Sequence, residues 1–111
     1  MPGLDPHVEA ELRRGVLQLV ALCLLEAPRY GYDLVRLLAQ AGFEVEEGTL
    51  YPILRRLEQQ GTLASSWDTG GARPRKYYRL SPDGRRQRAE LALAWRRVRD
   101  ATDAALTEVS S

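Results

Sequence analysis

The chain has 111 residues, 44% of them hydrophobic, 28% charged and 7% aromatic, which is the size and composition of a single globular domain and excludes a disordered or fibrous chain. One cysteine and one histidine allow neither an intramolecular disulfide nor a tetrahedral metal site, so a reduced, cytoplasmic protein without metal or cofactor is expected. The net charge of +1 does not mark a polyanion partner, but it is unevenly spread: residues 1–66 carry six basic against nine acidic side chains, and residues 67–111 carry ten against six, which concentrates positive charge late in the chain.

The opening Met1-Pro2-Gly3-Leu4-Asp5-Pro6 has neither the basic start nor the apolar stretch of a secretory signal. The longest apolar run, Val16 to Leu25 interrupted by Gln18, spans ten residues, too few to cross a bilayer, so no membrane partner is expected. A first helix is expected from about Val8 to before Pro28. It is apolar on two sides: Leu12, Val16, Leu19, Val20 and Cys23 form one stripe, and Leu17, Ala21 and Leu24 another. Such a helix must be covered twice, once by its own core and once by a second copy of the chain. Cys23, between Leu22 and Leu24, reads as a small buried hydrophobe.

Tyr32, Leu34, Val35, Leu37, Leu38 and Ala41 carry the helical period of a second helix, with Gly42 as its stop. A third helix opens at Gly48-Thr49, with Thr49 as cap and Pro52 in the first turn, and Gly61 closes it. Leu50, Ile53, Leu54 and Leu57 fall within about 100° on its helical wheel, leaving Thr49, Pro52, Arg55, Arg56 and Gln59 on the other side and Tyr51 at the margin.

The period then changes to alternation. Leu63, Ser65 and Trp67, and after a Thr69-Gly70-Gly71-Ala72-Arg73-Pro74 tip Tyr77, Tyr78 and Leu80, suit the two strands of a hairpin. Ser81-Pro82-Asp83 starts a last helix reaching about Glu108. Its Leu91, Ala94, Trp95, Val98, Ala101, Ala105 and Val109 recur at spacings of three and four, as in a helix laid along another helix.

Three helices, a hairpin and a final helix make a mainly α chain with a small β-hairpin, the element order of a winged helix-turn-helix with a C-terminal extension. The third helix is then the recognition helix. Arg55 and Arg56 have the forked donors that bond guanine edges or phosphates. Arg73, Arg75, Lys76 and Arg79 place four cations within seven residues without an acid, beside a glycine-rich tip suited to a DNA backbone. Double-stranded DNA is therefore the expected partner.

The run Gly48-Thr49-Leu50-Tyr51-Pro52-Ile53-Leu54-Arg55-Arg56-Leu57-Glu58 followed by Gly61 resembles the recognition-helix signature of PadR-family transcriptional regulators. Arg75-Lys76-Tyr77-Tyr78-Arg79-Leu80-Ser81 and Tyr30-Gly31-Tyr32-Asp33-Leu34 resemble two further motifs of that family, in the same order, and the likeness extends over roughly Leu12 to Leu106. It implies a homodimeric repressor that binds an operator, divided into a DNA-binding domain over residues 1–80 (recognition helix about 49–60, wing about 62–80) and a C-terminal dimerisation helix over residues 81–111. Its DNA contacts would be Thr49, Tyr51, Pro52, Arg55, Arg56, Gln59, Arg73, Arg75 and Lys76.

A single, short C-terminal helix is similar to the compact, LmrR-like subgroup, in which a tryptophan at the place of Trp95 lines a cavity at the dimer interface. That likeness implies a dimer or ligand surface of Leu17, Gln18, Leu91, Ala92, Trp95, Val98 and Arg99. Where the subgroup accommodates cationic drugs with an acid, this chain has Arg99, so a neutral or anionic aromatic effector fits better. Read without the likeness, Tyr51 and Tyr77 suit either packing or phosphate contact, and Trp95 suits either a dimer core or a ligand platform. Nothing points to an enzyme: His7 stands in no recognisable catalytic motif, and Gly70-Gly71 is not followed by a helix that would cradle phosphate. The competing reading is a winged helix that docks a protein instead of DNA.

Overall fold

A computed structural model describes residues 6–110; residues 1–5, on which the signal-peptide reading rests, and Ser111 lie outside the described residues. The elements are α1 (Pro6–Leu24), β1 (Arg29–Tyr30), α2 (Gly31–Gln40), α3 (Glu47–Gln59), β2 (Leu63–Asp68), β3 (Arg75–Leu80) and α4 (Pro82–Ser110). This is the expected winged helix-turn-helix with one addition. The hairpin is the larger part of a three-stranded antiparallel sheet in the order β1-β3-β2, with Arg29 opposite Tyr78 and Tyr30 opposite Tyr77. Arg29 fixes the turn into β1 by donating from Nε to the Leu24 carbonyl at 2.6 Å.

Leucines from every helix of the head converge in the core: Leu22 of α1 and Leu25 in the turn after it, Leu34 and Leu38 of α2, and Leu50, Leu54 and Leu57 of α3, closed by Leu63, Tyr78 and Leu80 of the sheet. The two apolar stripes of α1 are thereby told apart. Leu17 and Ala21 belong to the core and Val20 packs against it, whereas Leu12 is 73% exposed and Val16 and Leu19 are half-buried. Cys23 lies on this open stripe and is exposed, contrary to the buried position expected from its apolar neighbours.

Helix α3 starts earlier than its sequence suggests. Glu46 is the cap position and accepts backbone bonds from Thr49 and Leu50 at 3.0 and 2.9 Å, so Thr49 is the third helical residue and not the cap. Pro52 therefore lies inside the helix, where it can donate nothing to the Gly48 carbonyl four residues before it. The acids Glu46 and Glu47 at this end interact favourably with the helix dipole and help to offset that loss.

Both glycine stops hold. Gly42 and Gly61 adopt φ of 94° and 80°, and the amides of Phe43 and Thr62 reach back to Leu38 and Leu57 at 2.7 and 2.9 Å, closing each helix with the paired bonds of a left-handed cap. The second of these turns is also the seat of α4. Thr62 is fully buried; its carbonyl accepts from the Ser81 amide at 3.1 Å and from the Ser81 hydroxyl at 3.0 Å, and its own hydroxyl donates to Gln87 Oε1 at 2.6 Å. Ser81 caps α4 by accepting from the Gly84 amide at 2.9 Å. Glu26 adds a second brace by pairing with Arg85 and Arg88 of α4.

A β-carbon at Gly84 would lie 2.1 Å from the Thr62 carbonyl oxygen, a backbone clash that cannot be relieved by side-chain rotation. Gly84→Ala is expected to cost about 1–3 kcal/mol of stability, read as a lower urea midpoint. An unchanged midpoint would mean that the α4 seat is looser than described.

Candidate nucleic-acid interface

With Leu50, Leu54 and Leu57 turned inward, Pro52, Arg55 and Gln59 are exposed and lie within about 60° of one another around α3. They form its outermost ridge. The two flanks differ. On the wing side the half-buried Tyr51 ring leans against Gly31, where an added β-carbon would come within 3.0 Å of it, and Glu58 points toward the sheet. On the α1 side lie Thr49 and Arg56, both exposed. Thr49 borders a cleft with Arg13, Phe43 and Ile53, and Arg56 donates from Nη2 to Gln18 Oε1 of α1 at 3.2 Å.

Strand alternation divides the wing cations between two faces. Arg75 and Arg79 are exposed on the outer face, and Arg73 is exposed in the tip. The Arg75 guanidinium lies 5.0 Å over the Tyr30 ring, which stacks on Tyr77 at 4.0 Å. The Tyr30 hydroxyl donates to Asp68 at 2.7 Å, and Asp68 also accepts from the Gly70 amide at 3.0 Å. Bonding to Tyr77 and to Asp68 raises the Tyr30 hydroxyl well above the usual phenol range, and the Tyr30 hydroxyl and the Gly70 amide hold Asp68 below the usual carboxylate range. The tip is thus anchored by a neutral phenol and an ionised acid.

Lys76 faces the other way. Its ammonium pairs with Glu58 of α3 at 2.9 Å, 5.2 Å from the centre of the Tyr78 ring and 5.9 Å from that of Trp67. Glu58 also accepts from the Ser65 hydroxyl, so one carboxylate joins α3 to both long strands. Lys76, expected among the DNA contacts, is half-buried and ties the wing to α3. Tyr32 and Tyr51 share a concave surface with Gly70, Gly71, Arg73 and Arg75, which puts the glycine tip on the same side of the molecule as the Tyr51 flank of α3. Tyr32 and Trp67, 66% and 62% exposed, also border this region and were absent from the expected set, although Tyr32 stands in the Tyr30-Gly31-Tyr32 motif.

A second concavity, an open groove of about 680 Å³, runs between α1 and α4. Gln18, Leu91, Trp95, Val98 and Arg99, all in the expected dimer or ligand set, line it together with Leu12 and Leu19. Leu17 does not, because it faces the core, and half-buried Ala92 is outside the lining. Arg99 pairs with Asp100 at 3.1 Å.

The sequence model of the transcriptional regulator PadR-like family matches residues 20–90. The chain belongs to this family. A crystal structure of a PadR family transcriptional regulator from Eggerthella lenta DSM 2243 is similar at 47% identity and a TM-score of 0.87, covering 90% of this chain and 89% of that one. An uncharacterized protein of Lysinibacillus sphaericus is 32% identical over 101 residues, 86% of this chain and 93% of the relative. Bacillus subtilis PadR, solved in complex with operator DNA, shares the fold at 23% identity and a TM-score of 0.64, over 69% of this chain and 45% of that one. The PadR-like family is one of transcriptional regulators and not of enzymes. Among the described residues no helix is long and apolar enough to cross a membrane.

The Glu58–Lys76 tie makes the wing's attachment depend on pH. Bonds from Ser65 and Lys76 lower the Glu58 pKa from 4.5, so its contribution is full above 4.5 and is lost as pH falls through the depressed folded value. The bond to Glu58 raises the Lys76 pKa from 10.5, so that contribution is full below 10.5 and is lost as pH rises through the folded value. Urea denaturation should show Glu58→Gln less stable than the parent near neutral pH, with the gap closing in acid. A gap that stays constant into strong acid would contradict the tie.

Proposed function

We propose that this chain is a sequence-specific, double-stranded DNA-binding repressor that acts in the cytoplasm as a homodimer and is released by a small aromatic ligand at the dimer interface. The observation that carries the reading is the open ridge of α3, Pro52, Arg55 and Gln59, beside a wing whose Arg73 and Arg75 point outward. The ridge enters a major groove, where Arg55 bonds guanine O6 and N7 or a phosphate and Gln59 reads a neighbouring base edge. Thr49, Tyr51 and Arg56 flank it against the backbone, and Arg73 and Arg75 meet phosphates beyond the groove. Lys76 contributes by setting the wing's angle. The operator complex of Bacillus subtilis PadR, which shares the fold, supports this arrangement.

Residues 1–80 serve as the DNA-binding domain and residues 81–111 as the dimerisation helix. Leu12 on α1 and Trp95, Val98, Leu106 and Val109 on α4 are exposed in one chain. A second copy that lays its α4 against α1 and α4 covers this surface and gives the molecule two ridges for major-groove sites about 34 Å apart. Arg13 and Arg99 at the groove are balanced there by Glu9 and Asp103, which suits a neutral aromatic effector beside Trp95 better than a charged one.

Anisotropy titration of a labelled duplex at two salt concentrations tests the reading. A dimer neutralising roughly six to eight phosphates should give a log–log salt slope of about −5 to −7, and Arg55→Ala should weaken binding by about 1–3 kcal/mol. Absent or salt-insensitive binding would contradict it and favour a protein-docking winged helix. Trp95→Ala should lower the dimer mass measured by sedimentation at low concentration; an unchanged dimer would remove Trp95 from the interface.

A further inference from the structure

We propose that Gln18 is a positioning residue that couples the α1/α4 groove to the DNA-facing side of α3 through Arg56. The proposal rests on the DNA-binding reading and adds a route by which the groove and the recognition helix sense each other. Gln18 lines the groove together with Trp95 and Arg99, and its Oε1 accepts from Arg56 Nη2 at 3.2 Å. Thirty-eight residues separate the two in sequence, so the bond is a tertiary link from a groove wall to the recognition helix.

The other wall holds the same helix by a different joint. The turn that ends α3, Gly61-Thr62, receives the Ser81 hydroxyl on both carbonyls and the Ser81 amide on the second, and the Thr62 hydroxyl reaches Gln87. Gly84 packs so closely on Thr62 that this joint cannot slide. Helix α3 is thus fastened to α4 at its C-terminal end and to α1 at Arg56. Any change in the spacing of α1 and α4 must rotate or tilt α3 about the Thr62 seat, or break the Gln18–Arg56 bond. Either outcome redirects a guanidinium on the flank of the DNA-facing ridge, and by thermodynamic reciprocity a load on that flank must be felt in the groove.

Reciprocity makes the coupling measurable without an effector. In Trp67→Phe protein, Trp95 is the remaining indole, and the probe is an unlabelled duplex selected by the protein from a randomised pool. Saturating duplex should change Trp95 emission. Gln18→Ala should bind that duplex about three- to tenfold more weakly and, when saturated, leave Trp95 emission unmoved. Gln18→Glu, which keeps an acceptor for Arg56, should retain the response, and Arg56→Ala, which breaks the same bond from an exposed position, should silence it. A full Trp95 response in saturated Gln18→Ala, or a silent Trp95 in the DNA-bound parent, would overturn the coupling while leaving DNA binding intact. Failure of every duplex to bind, seen independently by anisotropy, would overturn the DNA reading and the coupling with it.

Discussion

Burial of Leu50, Leu54 and Leu57 is the constraint from which the rest of the molecule follows. All three are fully buried against leucines of α1 and α2, each stabilising the fold by roughly 2 kcal/mol. A rotation of α3 by one residue, about 100°, would drive charged or polar side chains into that core and expose leucine, so the orientation of the helix is fixed by energy and not by its surface residues. The side left over is the one that carries Pro52, Arg55 and Gln59. The same burial sets the position of Gly61-Thr62, on which α4 is seated, and of Glu58, from which the wing is braced. The α3 ridge, the wing and α4 are all positioned by one leucine stripe.

The electrostatics follow the same division of labour. Cations that point outward, Arg55 on α3 and Arg73 and Arg75 in the wing, are exposed to solvent. Lys76 points inward on the wing and is paired with Glu58 between two aromatic rings. A one-residue difference in strand position therefore separates an outward charge from a structural one. At the tip, Asp68 is occupied by Tyr30 and Gly70, which keeps this acid engaged within the protein.

Much of this was legible in the chain itself. The 3.6-residue spacing of the α3 leucines, the glycines at 42 and 61 that end α2 and α3, and the Ser81-Pro82-Asp83 start of α4 all act through local geometry, and local geometry is what a sequence displays. What was not legible depends on partners far away in the chain. Strand β1 is two residues long and exists because β3 offers it an open edge. Lys76 and Glu58 are 18 residues apart with no periodic relation, and Lys76 read as one of four equivalent wing cations. Leu17 and Leu19 lie on different apolar stripes of α1, and nothing local says which stripe meets the core; Cys23 falls on the open stripe for the same reason. The start of α3 was misread because Gly48 and Pro52 disfavour helix, whereas packing of the leucine stripe carries the helix through both.

The central claim is that the α3 ridge and the wing tip form one DNA-facing surface. Backbone and arginine side-chain NH signals of ¹⁵N-labelled protein, followed while a selected duplex is added, test it directly. Shifts at Arg55, Gln59, Gly70, Gly71 and Arg73, with the outer face of α4 around Leu93 and Arg97 unmoved, are the expected result. Shifts centred on α4 with the α3 ridge silent would contradict the account.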